Sequence, residues 1–355
     1  MRPATKAVLG AAACPLPIAD REVIMLGHGS GGRLSAELVE HLILPAFGNP
    51  ALAPLDDQAV LDVDGLGRVA LTTDSFVVTP IFFPGGDIGE LAVNGTINDL
   101  AMGGARPIAL SLALILEEGF PMSDLERVIA SVRSAAERAR VPIVTGDTKV
   151  VGRGGADGIF VNTSGIGVVP AGVELGSSRV RAGDTVIISG TIGDHGAAVL
   201  ACRNGLDLEG DLRSDTAPLH ELVRALLDAC PSVHAMRDPT RGGLAASLVE
   251  IASRREVGIE IDEAAVPIRD DVRGACELLG LDPWLVANEG KLVAFVPEAH
   301  SDEALEALAR HPLGRNAARI GTVTTAHRGT VVARTPLGTH RVVDLPLHEP
   351  LPRIC

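Results

Sequence analysis

Short apolar-rich runs mark strands along the first half of the chain. They fall at "AVLDV" (59–63), "RVALTT" (68–73), "PIALSLALIL" (107–116), "VPIVT" (141–145) and "GIFVNTSGIGVV" (158–169). "REVIML" (21–26) reads as a further strand, followed by the glycine stretch "GHGSGGR" and by "LSAELVEHLIL", where Leu34, Leu38 and Leu42 recur at helical spacing. The clearest helix is "SDLERVIASVRSAAERAR" (123–140): Leu125, Val128, Ile129 and Val132 share one face, and Ser123 with Glu126 forms a capping box. "PAGVELGSSRVRAGD" (170–184) interrupts the pattern with proline and glycines before the strand "TVIISG". Beyond it, "DPTRGGLAASLVEIA" (238–252) is a proline and glycine turn entering a helix with Leu244, Leu248 and Ile251 on one face.

A chain of 355 residues exceeds what one core usually serves, so two domains of mixed α and β structure (α+β or α/β) are expected. The boundaries fall at 21–171 and 172–343, with an extension at 1–20 and an arm at 344–355. Hydrophobic residues make up 46% and charged residues 21%, enough apolar material for real cores, and no run approaches a membrane span. The net charge of −14 argues against a nucleic-acid partner, whose phosphates need clustered Lys and Arg; aromatics at 2% leave few stacking platforms. Cysteines 14, 202, 230, 276 and 355 are odd in number and lack CxxC spacing, so neither a disulfide framework nor a zinc site is implied. A reducing cytoplasm is the expected compartment. The apolar run of "MRPATKAVLGAAAC" is at the short limit for a lipoprotein signal, and a loose extension is the plainer reading. Cys202, Cys230 and Cys276 lie in apolar helical contexts and read as core residues.

Gly27, Gly29 and Gly32 spell G-x-G-x-x-G between a predicted strand and helix. The acidic residue of a dinucleotide site should close the second strand, yet Asp56 and Asp57 precede their apolar run. A Walker loop fails as well, because Arg33 and Leu34 stand where Lys and Ser or Thr are required. A glycine lid without chemistry remains an open reading of this stretch. More informative are Asp56, Asp57, Asp74, Asp99 and Asp147, each set beside a strand or in a turn, with Lys149 just beyond. One such aspartate is an ordinary turn former. Five converging on one rim would repel one another unless a cation joined them, which points to Mg²⁺ and a nucleoside triphosphate. The helix start after "DPTRGG" offers main-chain amides to phosphate.

"HGSGGR", "LDDQAV", "TTDSFVVTPIFFPGGDIGELAVNGTINDLAMGGARP", "TGDTKVV", "DPTRGGL" and "NEGK" together resemble the aminoimidazole ribonucleotide synthetase (PurM-like) superfamily, which uses ATP without a P-loop. The final "PRIC" is similar to the HypE family of hydrogenase maturation factors, and the likeness runs from about residue 21 to Cys355. It implies a two-domain fold whose N-terminal mixed sheet forms the core of a homodimer. ATP contacts would come from Gly29, Gly31, Gly32, Asp56, Asp57, Asp74, Asn98, Asp99, Asp147, Thr240, Gly242 and Gly243, with Asp57, Asp74, Asp99 and Asp147 on Mg²⁺.

The resemblance also implies the chemistry. The Cys355 thiol receives a carbamoyl group from a HypF-type carbamoyltransferase, ATP drives its dehydration to a thiocyanate, and the cyanide passes to iron on a HypC and HypD complex for the [NiFe] centre. Lys149 would steady the transferring phosphoryl group or the carbamoyl oxygen, and Glu289 would accept the N–H proton. The arm fits this role. Its 12 residues, with prolines at 346, 350 and 352, could span about 37 Å if extended. Two other classes stay open: a small-molecule ATP-dependent synthetase or kinase of the same superfamily, and a non-catalytic scaffold switched by nucleotide.

Overall fold

The computed structural model describes residues 24–29, 31–65, 67–206, 210–345 and 353–355. Residues 1–23, which include half of the strand expected at 21–26, Cys14 and the N-terminal extension, lie outside them, as do 346–352 of the arm. Leu26–Gly29 forms a single 3₁₀ turn, with the His28 amide donating to the Met25 carbonyl at 3.0 Å, so no strand enters the glycine stretch. The helix after it is broken into α1 (Arg33–Leu38), a π turn at Val39–Ile43 and α2 (Leu44–Phe47). The π turn shifts the register of the expected leucine stripe and leaves Leu42 exposed.

The apolar-rich runs form a five-stranded sheet. It contains β1 (Ala59–Val63) and β2 (Gly67–Phe76); a short pair, β3 (Phe82–Phe83) and β4 (Gly86–Asp87), then leads into helix α3 (Ile88–Met102). The sheet is completed by β5 (Arg106–Glu117), β6 (Ile143–Val151) and β7 (Ile159–Val168), in the order β1-β2-β7-β5-β6. All its pairs are antiparallel except β5 with β6. Helix α4 (Met122–Ala139) joins β5 to β6 and buries Val128 and Val132 as its pattern predicts. Its N-cap is Pro121, whose carbonyl accepts from the Asp124 and Leu125 amides, so Ser123 already lies inside the helix and makes no cap.

Helix α3 packs on the inner face of this sheet and is buried almost all round. Asp87 caps it, accepting from the Gly89 and Glu90 amides at 2.8 and 3.0 Å. Asp99 therefore stands on a helix and not in a glycine turn. One position earlier, Asn98 ties the helix to the second half of the chain. Its amide nitrogen donates to the Ala217 and Glu289 carbonyls at 3.1 and 3.2 Å, and its oxygen accepts from the Leu219 amide at 2.7 Å.

The second sheet has the order β14-β13-β10-β12-β8-β11-β9. Its first elements are β8 (Asp184–Ile188), α5 (Asp194–Arg203), α6 (His220–Ala229), β9 (Ala235–Arg237) and α7 (Gly243–Arg255). They are followed by β10 (Gly258–Asp262), α8 (Asp270–Leu279), β11 (Val293–Pro297), α9 (Ser301–Arg310), β12 (Ala318–Thr324), β13 (Val331–Arg334) and β14 (His340–Val343). The β8 side chains alternate between two cores. Val186 and Ile188 meet Leu244, Leu248 and Ile251 of α7, while Ile187 meets Leu222 and Leu226 of α6 and Leu308 of α9. Ala101 and Met102 of α3 join the second of these cores, so the two sheets share apolar packing through one helix. Cys230 and Cys276 are buried as expected, but Cys202 is exposed on α5.

Asn98→Ala should cost about 2–4 kcal/mol of stability, because it strips partners from several buried main-chain groups at once. Urea unfolding checks this; an unchanged midpoint would remove Asn98 as the tie between the halves.

Candidate active site

The inner face of β2 carries Ala70, Thr72, Asp74 and Phe76 by simple alternation, and Asp57 sits two residues before β1. Asp99 of α3 and the turn that follows β9 close on them from the other side. Between them lies a cavity of about 290 Å³, lined by the carboxylates of Asp57, Asp74, Asp99, Asp238, Glu250 and Glu289, and by Cys355. A second, more apolar cavity of about 380 Å³, with Leu52, Leu55 and Asp56 in its wall, shares Gly31, Arg237, Arg241 and Glu250 with the first.

The polar contacts around the cavity are specific. The Thr72 hydroxyl lies 2.7 Å from Asp99 Oδ2 and 3.0 Å from the Asp57 carbonyl oxygen. Arg237 bridges two acids, with Nε 3.2 Å from Asp57 Oδ1 and Nη2 3.1 Å from Glu250. Glu289 is fixed through its main chain. Its amide donates to Asp215 Oδ1 at 3.0 Å, and Asp215 is itself held by Lys291 Nζ at 2.8 Å. Asp57 Oδ2 and Glu289 Oε1 are buried without a protein hydrogen-bond partner.

Burial is the first cause of every pKa shift in this group, and it raises them all. It lifts Asp57 and Asp99 well above the usual carboxylate range; Arg237 opposes the shift at Asp57, and the charges of Asp238, Asp74 and Asp57 add to it at Asp99. Asp74 is raised by burial against the pull of Arg241. Asp238 is pushed up to about 6 by burial, offset by Arg237, and Glu289 is raised well above its ordinary value by burial and by Asp238, Asp215 and Asp74. These are the marks of acids gathered for a cation. Among the described residues no three such side chains are placed to chelate an ion unaided. That fits Mg²⁺, which takes one or two carboxylates and fills its octahedron with water and phosphate oxygens. The orphaned Asp57 Oδ2 is a hard oxygen ready for it.

The turn after Asp238 needs its glycines. Gly242 and Gly243 have φ of +75° and +62°, and a Cβ on Gly243 would lie 2.6 Å from the carbonyls of Trp284 and Val286. Thr240 lines the cavity, and α7 points its N-terminal amides from this turn. Gly31 packs its main chain on Arg241, bringing the first glycine stretch against the same turn.

Of the residues expected at the site, Gly31, Asp57, Asp74, Asp99, Thr240, Glu289 and Cys355 line the carboxylate cavity and Asp56 the adjoining one. Asn98 does not face it, since its amide is taken up between main-chain groups. Gly32 is the N-cap of α1, and Gly29 lies outside both linings with open space at its Cβ position. Asp147 and Lys149 are corrected most. Strand β6 runs past the expected "VPIVT" to Val151 and lies three strands from β2, about 14 Å at ordinary strand spacing. Its register sets Asp147 beside Ala113 and Lys149 beside Ile115, on the outer face of the sheet, where the two charges pair at 2.9 Å. They are absent from this protomer's own cavity. Thr72, Thr73, Gly95, Arg237, Asp238, Arg241 and Glu250 are the lining residues that the sequence reading missed. Asp238 and Arg241 belong to "DPTRGG", which was legible as a turn; as a charged pair it was not.

The arm reaches this cavity. Ile354 is buried, the Val77 amide donates to the Cys355 main-chain oxygen at 3.0 Å, and the Thr79 amide donates to the Arg353 carbonyl at 3.2 Å. Cys355, held by these main-chain contacts, thus stands in the wall of a cavity that six carboxylates line.

Family models described as AIR synthase related protein match residues 55–169 (N-terminal domain) and 181–334 (C-terminal domain). A protein named carbamoyl dehydratase HypE, from Cupriavidus necator, is 52% identical over 332 residues, covering 94% of this chain and 95% of its own. This chain belongs to the HypE family. Among solved members, a crystal structure of HypE in complex with ATP superposes with a TM-score of 0.79 at 49% identity, covering 94% of this chain and all of that one. A HypE-HypF complex superposes at 0.83 with 46% identity, covering 87% and 99%. The HypE fold is thus the frame that brings the acids, the glycine turn and Cys355 together.

The sign of the electrostatics is testable. Asp238 holds its proton to about pH 6 when folded, against 3.8 as the ordinary value, so the folded state binds more protons across that interval. Stability without metal should fall as pH rises from about 4 to about 6 and stay low above it. Asp238→Asn should flatten that slope, and Mg²⁺ should raise the melting temperature more at neutral pH than below about pH 5. Thermal unfolding across pH decides; a Mg²⁺ shift equal at both ends would refute the cation reading.

Proposed function

We propose that this protein dehydrates an S-carbamoyl group on its own Cys355 to a thiocyanate at the expense of ATP, giving ADP and phosphate. The observation that carries this is Cys355 at the wall of the carboxylate cavity. The carbamoyl oxygen is a poor leaving group, so the γ-phosphoryl group is transferred to it first. Loss of phosphate from the resulting imidate phosphate, with removal of the remaining N–H proton, leaves S–C≡N. Mg²⁺ would be held by one or two of Asp57, Asp74 and Asp99 together with water and phosphate oxygens, and would neutralise phosphate charge. Arg241 brings positive charge among Asp74, Asp238 and Glu289, and the Gly242–Gly243 turn offers main-chain amides to phosphate oxygens. Glu289, with its raised pKa and its orphaned Oε1, is the proton acceptor.

A HypF-type carbamoyltransferase is the donor we propose, as one solved relative is a HypE-HypF complex, and a HypC and HypD complex is the cyanide acceptor. The product serves the iron of [NiFe] hydrogenase. No helix among the described residues is long and apolar enough to cross a membrane, and the cytoplasm is the compartment we propose. A homodimer is supported by the outer face of the first sheet, where Leu61, Leu71, Ile115 and Ile166 are 41% to 49% exposed. Asp147 and Lys149 lie on the same face, so a second copy covering it would bury them against itself.

Three measurements test this reading. The mass of the peptide ending at Cys355, taken after carbamoylation, should fall by one water only when Mg-ATP is added; an unchanged mass with ATP bound would favour the scaffold. Cys355→Ala should abolish the conversion and keep ATP binding, and turnover that survives it would indicate a small-molecule kinase or synthetase. Leu71→Asp with Ile166→Asp should shift the mass by light scattering from dimer to monomer, and a monomeric unmodified protein would overturn the dimer.

A further inference from the structure

Helix α5 meets the arm at both of its ends. Near its N-terminus His195, fully buried, has Nε2 2.8 Å from the Ile354 carbonyl oxygen and Nδ1 2.8 Å from Ser214 Oγ. A carbonyl can only accept, so Nε2 carries the proton, and in the neutral ring Nδ1 accepts from the Ser214 hydroxyl. Ser214 is itself fixed, since its amide donates to the Pro84 carbonyl at 2.8 Å and its Oγ accepts from the Thr216 amide at 3.2 Å. The edge of the Phe83 ring packs on the imidazole with centroids 5.4 Å apart, which leaves the ring little freedom. Burial also lowers the His195 pKa and favours this neutral form. At the last residue of α5, Arg203 donates to the Arg353 carbonyl and, at 2.7 Å, to the Thr79 carbonyl.

We propose that α5 is a clasp that seats the arm, with His195 and Arg203 as positioning residues for the dehydration described above, a proposal that rests on that reading. The clasp holds main-chain carbonyls of the two residues before the thiol, groups that do not change during the reaction. It therefore seats the free thiol, the thiocarbamate and the thiocyanate alike, while the Ile354 side chain fills the apolar core beneath. When the arm leaves, His195 Nε2–H loses its acceptor in a buried place, so departure and the state of this imidazole are coupled.

The test compares the purified full-length protein with His195→Ala, His195→Gln and Arg203→Ala. The first readout is the alkylation rate of Cys355 by an uncharged maleimide, followed by mass on the Cys355 peptide so that the exposed Cys202 does not interfere. It needs neither carbamoylation nor ATP. His195→Ala should speed alkylation about tenfold, the effect of one buried hydrogen bond, and His195→Gln, which keeps an N–H donor, should restore much of the slow rate. Arg203→Ala, on the exposed end of the clasp, should act in the same direction and covers the case in which His195→Ala does not fold. The second readout is single-turnover loss of water from the carbamoylated arm, which should slow by a similar factor with ATP affinity unchanged. Alkylation unaltered in both His195→Ala and Arg203→Ala would overturn the clasp. Faster alkylation with full dehydration rates would overturn its positioning role. Faster alkylation when even the unmodified protein dehydrates nothing would uphold the clasp and overturn the functional reading.

Discussion

Six carboxylates around one cavity are tolerable only if protons or cations offset them, and much of the chain is arranged around that constraint. Asp57 is matched by Arg237, which leans in turn on Glu250, and Asp74, Asp238 and Glu289 feel Arg241. Even so the acids in the lining outnumber these two arginines, and burial lifts the pKa values of Asp57, Asp74, Asp99, Asp238 and Glu289. A site in this state favours Mg²⁺ with a polyphosphate over either partner alone: the metal answers the acids, while the arginines and the glycine turn answer the phosphate.

Helix α3 makes that concentration of charge structurally possible. Because apolar contacts cover it on nearly every side, it can hold Asp99 toward the cavity while Asn98 ties the second half of the chain to it. Movement of one sheet against the other would break those bonds and open the apolar packing of Ala101 and Met102 with α6. The acids contributed by the first sheet and those following β9 and preceding β11 are thereby kept in one register.

What could be read in advance follows from the same physics. β1 was legible residue for residue and β5 and β7 nearly so, because a sheet with one face on α3 alternates cleanly. Helix α3 was not, since a helix buried all round has no polar stripe to betray its period. Asp74, expected just past the strand at 68–73, lies inside β2, and "TGDTKVV" likewise looked like the end of a strand when it is the body of one, which moved Asp147 and Lys149 to the outer face. Asp215, His195 and Ser214 carried no local signal at all. They matter through partners 74, 159 and 19 positions away, and only the fold supplies those pairings.

The arm raises a problem of specificity that its chemistry makes acute. A reacting group carried on the chain's own thiol must enter a polar cavity, react and leave, bearing a different substituent at each stage. A pocket that gripped the substituent would favour one stage and obstruct the others. Binding energy taken from main-chain carbonyls and from one buried isoleucine is the same at every stage, because none of those groups changes during the reaction. Discrimination among the three sulfur species is then left to the carboxylates and the nucleotide. On the reading proposed above, the groups that seat the arm, His195 and Arg203 of α5 with the Val77 and Thr79 amides just past β2, are distinct from the acids and Arg241 that face its sulfur chemistry.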